Sequence, residues 1–589
     1  MPVSKQPSLE MEDRSWFELK TGRAPILLIA PHGGRARRDA PNDAHRKVND
    51  LYTDDLTREL ARRLGASAII NRGMDRNELD CNRIAQLAAR APWMLSEIAR
   101  HARELVRAHG RLVVLIIHGW NVIQPRVDFG IGARLESTHA LPAWTDSVSA
   151  GDAFIKDVLF PLAKRLDENG IIASFGLRYP AAGKNNLLQA FTRRHRESDV
   201  AALRQLAELA GARTIEAAQV ELSVPLRWPG PSRERVLSGV EEALGAWVDG
   251  AVRPIAPMVA SEPAPAHPRL RQKSGSSTRV ELPVQSFRYG MEFYDAAASL
   301  GGIASFRFGP DLSRASLLLL CEGGGVIMFS TEDRARLAGN ELSLGDLSIA
   351  LRERGFELRF RGPAISVPDA RSCISVEQAL ASGRLVDVSL TLEGHAADAV
   401  PETRIEHILR QSGRAPTRSR FGVTRGCVTL GTEAYSIDTP GRVGFGPNYG
   451  ATSGGYVPSK TLWVYLNALP SPVVLEAGRL ASDVPSADDV RARQWAVGRA
   501  QGPSLEALEL VASAPSQLPQ KLAAVLKLGA AQPLALAGSV EKAVALAHPN
   551  VDGTVTYTTL GFAAVESRLG SGHGAFWVSD RMRPSWALL

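Results

Sequence analysis

The chain has 589 residues, more than one ordinary hydrophobic core holds, so at least two large domains are expected. Hydrophobic residues make up 44% and charged residues 22%, which excludes a chain disordered throughout. The net charge of +7 is a small difference between 69 basic and 62 acidic residues, with arginines spread along the chain, and this argues against a dedicated nucleic-acid surface. The basic clusters Arg35, Arg37, Arg38 and Arg193, Arg194, His195, Arg196 lack interleaved aromatics for base stacking and read as solvated loops.

The first twenty residues have no apolar core of a signal peptide, and no later run is long enough to span a bilayer. A soluble protein with no membrane partner is expected. Cys81, Cys321, Cys373 and Cys427 lie far apart without CxxC spacing, which fits reduced thiols in cytoplasm rather than a disulfide framework or a cysteine zinc site.

In chain order, Pro25–Ala30 (PILLIA) reads as a buried strand. Asp54–Leu64 follows as a helix with Leu56, Leu60 and Leu64 on one face and Gly65 at its end. Trp93–His109 repeats the helical signal and stops at Gly110, and Leu112–Ile117 (LVVLII) is a second apolar strand. Asp152–Glu168 reads as one amphipathic helix with Phe154, Val158, Leu162 and Leu166 in register. Such alternation predicts an α/β N-terminal domain on a largely parallel or mixed sheet, and a mixed sheet with helices on both faces is expected over 1–252. The segment 253–279, rich in Pro and Ser, predicts a linker. From 280 to 589 the texture changes to short alternating runs such as VDVSLTLEG and TLWVYLNAL, and an all-β C-terminal domain is expected. Only Val490–Gly498 and Gln517–Val525 look helical there.

Two histidines share one local setting. His32 follows PILLIAP and His118 follows LVVLII, each with Gly next, so both stand at the carboxyl ends of strands. Ligands bind at that edge in open α/β sheets, and neighbouring strands would bring both imidazoles to one metal. A lone histidine there is more often a satisfied structural group. Downstream, Arg76-Asn77-Glu78-Leu79-Asp80-Cys81-Asn82-Arg83 carries two guanidinium groups suited to a planar carboxylate, or else forms a surface ion-pair cluster of Arg76, Asp80 and Arg83. Cys81 reads as a small core hydrophobe rather than a nucleophile.

RNELDCNR resembles the R-x-x-x-D-x-N-R signature of N-formylglutamate amidohydrolases, and its D-x-N-R portion is similar to that of zinc carboxypeptidases of the same broad fold. The resemblance runs in order through APHGG, TDDLTREL, IIHGWN, RYPAAGKN and AAQVEL, over residues 25–225. It implies a zinc-exopeptidase-like fold and a zinc amidohydrolase. His32, Asp54 and His118 would bind Zn2+, with Asp55 as the alternative carboxylate; His, His and Asp also suit other divalent metals. Glu221 would be the general base for zinc-activated water, and Arg76, Asn82 and Arg83 would hold the substrate carboxylate. The substrate class implied is an N-acyl (N-formyl) amino acid or a peptide-like amide. Asp54 also suits a plain helix cap, and Glu221 could face solvent on an edge strand. Tyr179 and Lys184 depart from the family's N-x-P-Y-x-G-G turn, which leaves the substrate open, and Glu136 and His139 in the loop 130–145 are further candidates to shape the pocket.

The second half is similar to lipocalin-like β proteins related to carotenoid hydratases and tocopherol cyclase, through MEFYDAAASLGGIASFRFGPDLSRASLLLL, GCVTLGTEAYSIDTPGRVGFG and ESRLGSGHGAFWV. That resemblance implies a lipocalin-like barrel or sandwich. Where those relatives carry R-D-H-S-W-G, this chain reads Arg442-Val443-Gly444-Phe445-Gly446; the Asp and His are missing, so a scaffold or a site for a hydrophobic ligand is expected instead of acid–base chemistry. Two other readings compete for the first half. A serine α/β-hydrolase would need a G-x-S-x-G elbow, which the first domain lacks. A degenerate hydrolase fold that only binds is the non-enzymatic alternative.

Overall fold

A computed structural model describes residues 14–34, 47–135, 141–142, 145–250 and 287–580, the last without 309–311, 353–354, 397–417, 448–458, 468–472, 481–503, 513–516, 529–531 and 550–554. The described residues divide into two compact units, one before the segment 251–286 and one after it. The expected linker 253–279, the helix Val490–Gly498, and Arg35, Arg37, Arg38, Glu136 and His139 lie outside the described residues.

The first unit is α/β. Its strands are β1 Phe17–Lys20, β2 Ile26–Ala30, β3 Ser67–Asn71, β4 Leu112–Trp120, β5 Arg126–Gly130, β6 Ile172–Phe175 and β7 Ile215–Ser223, in the spatial order β1-β3-β2-β4-β7-β5-β6. Strands β3, β2, β4 and β7 run parallel, whereas β5 pairs antiparallel with β7 and β1 antiparallel with β3. Of the largely parallel or mixed sheet that the alternation allowed, the mixed one is present. All five residues of β2 are buried because helices cover both faces: Ile26, Leu28 and Ala30 enter one core, Leu27 and Ile29 the other. Helix α1 Thr53–Leu64 packs into the first core with Leu56 and Leu60, while α2 Ile84–Arg90 and α3 Pro92–His109 pack into the second. Each fully buried aliphatic side chain contributes about 1.5–3 kcal/mol, so the alternation of faces along β2 alone fixes the register of the sheet between its helical layers.

The helix expected at Asp152–Glu168 is interrupted. After α4 Asp152–Phe154, the turn Ile155–Leu159 is π-helical and passes into α5 Phe160–Glu168. Pro161 has no N–H to return to the carbonyl four residues back, and the Phe160 N–H bonds the Ile155 carbonyl instead. The remaining helices are α6 Ala201–Gly211, α7 Val224–Arg227, which follows β7 directly, and α8 Pro231–Val248.

The described residues of the second unit are all-β apart from short turns and the helix Val376–Ser382. Eight antiparallel strands from Phe287–Asp295 to Glu433–Pro447 form a ring, closed where Val326–Met328 pairs with Ile365–Val367. Phe306, Phe329 and Phe360 are buried in this barrel, the last two with ring centroids 4.5 Å apart. A second, seven-stranded sheet runs from Ser459–Leu466 to Gly570–Asp580. The helix expected at Gln517–Val525 is a correction: Lys521–Lys527 is a strand whose burial alternates residue by residue. Leu522, Ala524 and Leu526 reach the sheet's core, and that tertiary gain overrides the helical preference of LAAVL. Arg442, the residue left from the expected motif, stands opposite Glu292 across two strands and donates to it at 3.2 Å; Trp463 of the second sheet donates its indole N–H to the same carboxylate. Arg442 here closes a buried charge pair within the first sheet, and the indole of Trp463 ties that pair to the second.

No helix among the described residues is long and apolar enough to cross a membrane.

Candidate functional site

The site gathers at the carboxyl ends of β2, β4 and β7. Because β2 and β4 are neighbours, His32 and His118 meet with ring centroids 4.9 Å apart, as the sequence led one to expect. Each is followed by glycine for a steric reason. A Cβ at Gly33 would lie 2.3 Å from the Asn71 carbonyl oxygen, and one at Gly119 would lie 2.9 Å from both Asp50 Cβ and the Arg227 guanidinium carbon. Side chains at either place would push the histidine strands away from what they face.

The carboxylate between the two rings is Asp50. Its Oδ2 lies 3.3 Å from His32 Nδ1 and 3.1 Å from His118 Nδ1. The ligand atoms of His32, Asp50 and His118 all fall within 4.8 Å of one another, and all three residues are buried. Asp54, the carboxylate expected there, points elsewhere: it sits in the first turn of α1 and pairs with Arg58 at 3.1 Å, four residues on. Asp55 pairs with the same Arg58 at 2.8 Å. Asp50 precedes the helix, in a tight turn where Thr53 donates both its N–H and its hydroxyl to the Asp50 carbonyl. The turn passes through Tyr52 at φ 66, a left-handed conformation that costs a bulky residue about 1 kcal/mol or more.

These residues fit a metal. Two atoms each about 2.1 Å from one tetrahedral ion stand about 3.4 Å apart, close to the two nitrogen–oxygen distances found. The second nitrogen of His118, Nε2, is buried without a hydrogen-bond partner. Burial pushes the His118 imidazole down to about 4 against its hydrogen bond to the Asp50 carboxylate, so at neutral pH it is an uncharged donor of a lone pair. Burial works against the Asp50 charge, yet hydrogen bonds with His118 and His32 and the Arg76 guanidinium hold its carboxyl well below the usual carboxylate range.

His32 is oriented from behind by Asp80, whose Oδ1 lies 2.7 Å from His32 Nε2. A carboxylate bonded to the far nitrogen of a ligating histidine fixes the ring and raises its basicity. Asp80→Asn is therefore expected to weaken divalent-metal affinity by about 10–100-fold with little change in fold; competition titration against a chromophoric chelator measures it, and unchanged affinity would refute the orienting role.

Glu221 is the other carboxyl of the site. In the parallel pairing of β4 and β7 it stands opposite His118, and in the antiparallel pairing of β7 and β5 opposite Asp128. It is buried, not on a solvated edge, and accepts a 2.7 Å hydrogen bond from Gln219, itself held by Asn186 at 3.1 Å. Burial first, then the charges of Asp50 and Asp128, raise its carboxyl well above the ordinary value. Asp128 accepts backbone N–H bonds from Leu177, Arg178 and Tyr179 and so builds the turn leading into RYPAAGKN. The Tyr179 ring rests edge-on against Trp120 at 5.6 Å, and Lys184 is exposed.

The three residues expected to hold a substrate carboxylate are not equivalent. Arg76 turns to Asp50 Oδ1 at 3.1 Å, leaving its buried Nε unpartnered. Arg83 keeps a half-exposed side chain 3.6 Å from Asp80, and Asn82 bonds through its side chain to the Leu187 N–H at 3.3 Å. The stretch 76–83 is a run of turns rather than a strand edge, with Arg83 bridged to Asn186. Cys81 belongs to the core, and burial pushes its thiol up to about 12, which disfavours the thiolate a nucleophile needs.

Sequence reasoning passed over Asp50 and Arg227 and read Asp80 only as an ion-pair partner. Arg227 is wholly buried, and burial pushes its guanidinium down to about 10. Its signal was a lone Arg inside the apolar SVPLRWPG.

No family model matches the chain, and no curated protein matches it. Among solved structures it is similar to N-formylglutamate amidohydrolase from Ralstonia eutropha JMP134, at 12% identity and TM-score 0.28, over 40% of this chain and 98% of that one. A gene product from Agrobacterium tumefaciens gives 12% identity and TM-score 0.27, over 40% of this chain and 96% of that one. Kievitone hydratase from Nectria haematococca gives 12% identity and TM-score 0.29, over 50% of this chain and 88% of that one. The structural neighbours thus include N-formylglutamate amidohydrolase, the family that the motifs of the first half resemble, and a hydratase beside the fainter resemblance of the second.

Proposed function

We propose that residues 1–252 form a metal-dependent amidohydrolase that cleaves the amide bond of an N-acyl amino acid or a peptide-like substrate bearing a carboxylate. The observation that carries this reading is the buried group His32, Asp50 and His118, with the Glu221 carboxyl in the sheet row beside it. His32, Asp50 and His118 would hold the ion, with Zn2+ as the first choice for two imidazoles and one carboxylate. A divalent metal bound there supplies Lewis-acid activation of water and of the scissile carbonyl.

The chain's own groups do the rest. Glu221 takes the proton of the attacking water and returns it to the leaving nitrogen. Positive charge at the three ligands favours its carboxylate form, offsetting the burial that otherwise keeps it protonated. Asp80 fixes the ring of His32 from its far nitrogen. Arg83, with its side chain half exposed, and Asn82 bind the substrate carboxylate, and Arg76 contributes its unpartnered Nε while holding Asp50. Residues 280–589 supply a scaffold or a site for a hydrophobic ligand.

Elemental analysis of the purified protein tests this first. About one zinc per chain is expected, lost in His32→Ala and in His118→Ala without unfolding, together with metal-dependent release of amine from N-acyl amino acids. No metal under any reconstitution condition would sink the hydrolase. A metal-bound protein inert towards every N-acyl amino acid and peptide tried would favour a binding fold.

A further inference from the structure

Arg227 ties together the two segments that carry Asp50 and His118. It ends α7, directly after the strand that carries Glu221. Its Nη1 donates to the Leu51 carbonyl at 2.7 Å, one residue after Asp50, and its Nη2 donates to the Asn121 side chain, three residues after His118. Its guanidinium lies against Gly119 so closely that a Cβ there would stand 2.9 Å from it. The neighbouring Trp228 places its ring 5.6 Å from the ring of Tyr52, the residue held at φ 66 in the Asp50 turn. A bulky residue does not keep a left-handed backbone unless its surroundings enforce it. Here the enforcing contacts on that turn include one buried cation and one indole.

We propose that Arg227 and Trp228 act as a clamp that holds the strained turn Asp50–Tyr52 against the end of β4, presenting the Asp50 carboxylate to His32 and His118 before a metal arrives. Arg227 is then a positioning residue for metal capture, and the proposal rests on the metal reading above. Released from the clamp, Tyr52 relaxes to an ordinary conformation and takes Asp50 with it. A turn that is competent only about a tenth of the time binds metal about ten-fold more weakly. Lysine substitutes only in part, because one ammonium does not span Leu51 and Asn121 as the planar fork does.

The test is the Zn2+ affinity of the full-length, metal-stripped protein, by competition with a chromophoric chelator, in native, Arg227→Met and Arg227→Lys chains, each with and without Tyr52→Gly. The Met variant is expected to bind about ten-fold or more weakly and the Lys variant in between. Tyr52→Gly should restore most of the loss in the Met background, since glycine holds the left-handed turn without strain. A purely structural Arg227 would lower the melting temperature and leave the affinity of the folded chain unchanged. A folded Arg227→Met chain within two-fold of native affinity, or no recovery with Tyr52→Gly, overturns the clamp. Should Arg227→Met not fold, Asn121→Ala removes one of the two contacts at an exposed position and should cost about three-fold; no loss there overturns it equally. A native chain that takes up no Zn2+ removes the metal site itself, and the clamp with it.

Discussion

Glu221→Gln is expected to lower amide hydrolysis by about 10²–10⁴-fold, the usual contribution of a positioned general base, while making the metal-free protein more stable at neutral pH by about 1 kcal/mol. Both effects come from one arrangement. Burial and the charges of Asp50 and Asp128 disfavour the Glu221 carboxylate and raise its carboxyl above the ordinary value of 4.5. A carboxyl whose folded value is raised contributes no pH-linked cost below about pH 4.5, where it is neutral folded and unfolded alike. As the pH climbs through the raised value, the unfolded chain releases the proton more readily than the folded one, and native stability falls. Glutamine keeps the shape and cannot ionise, so the variant's advantage should be absent near pH 4, grow with pH and then level off. Urea unfolding of both metal-free proteins from pH 4 to 8 measures this, and turnover with Zn2+ restored measures the first effect. An advantage that shrinks with rising pH would mean that Glu221 is stabilised as a carboxylate by a contact the geometry does not contain; retained turnover would take the base role from it.

How far the sequence foretold this site depends on whether the evidence was local. PILLIA and LVVLII are unbroken apolar runs, and a short run of that kind between helix-like segments reads as a strand covered on both faces. The histidines after them were therefore legible, and so was Glu221, because a carboxylate inside AAQVEL has no cheap place in a core. Asp50 was not. Three aspartates lie within VNDLYTDDL, and capping and dipole preferences single out those at the helix start. Those same preferences are satisfied locally, with Arg58 one turn on answering Asp54 and Asp55, so the aspartate that joins the two histidines is the one before the helix. Asp80 was read only as an ion-pair partner because its role needs a histidine 48 residues away. The same limit explains Lys521–Lys527, where helix-favouring residues pair as a strand only because the sheet is there to receive them.

Asp50→Asn is expected to cost more than about 100-fold in Zn2+ affinity, beyond the range of losses seen when only an outer partner of a ligand is changed, whereas Asp54→Asn should leave affinity within about two-fold. Asp50 lies between two imidazoles and would carry the charge that offsets a bound ion; an amide oxygen in its place keeps the size and loses the charge. It also strands Arg76, whose guanidinium answers Asp50 Oδ1 at 3.1 Å, so the variant should lose stability as well as metal. Asp54 is answered by Arg58, which keeps Glu18 and Asp55 as partners when Asp54 is neutralised, and a partly exposed pair of that kind is worth about 0–1 kcal/mol. Chelator competition and thermal unfolding on the two variants therefore separate cleanly. Loss of metal in Asp54→Asn with retention in Asp50→Asn would put the ligand back on helix α1 and require the helix to rotate its first turn away from Arg58. Loss in both would mean that Asp54 holds the Asp50 turn in place through the helix start. Loss in Asp50→Asn alone leaves His32, His118 and the carboxylate before the helix as the set that a metal needs.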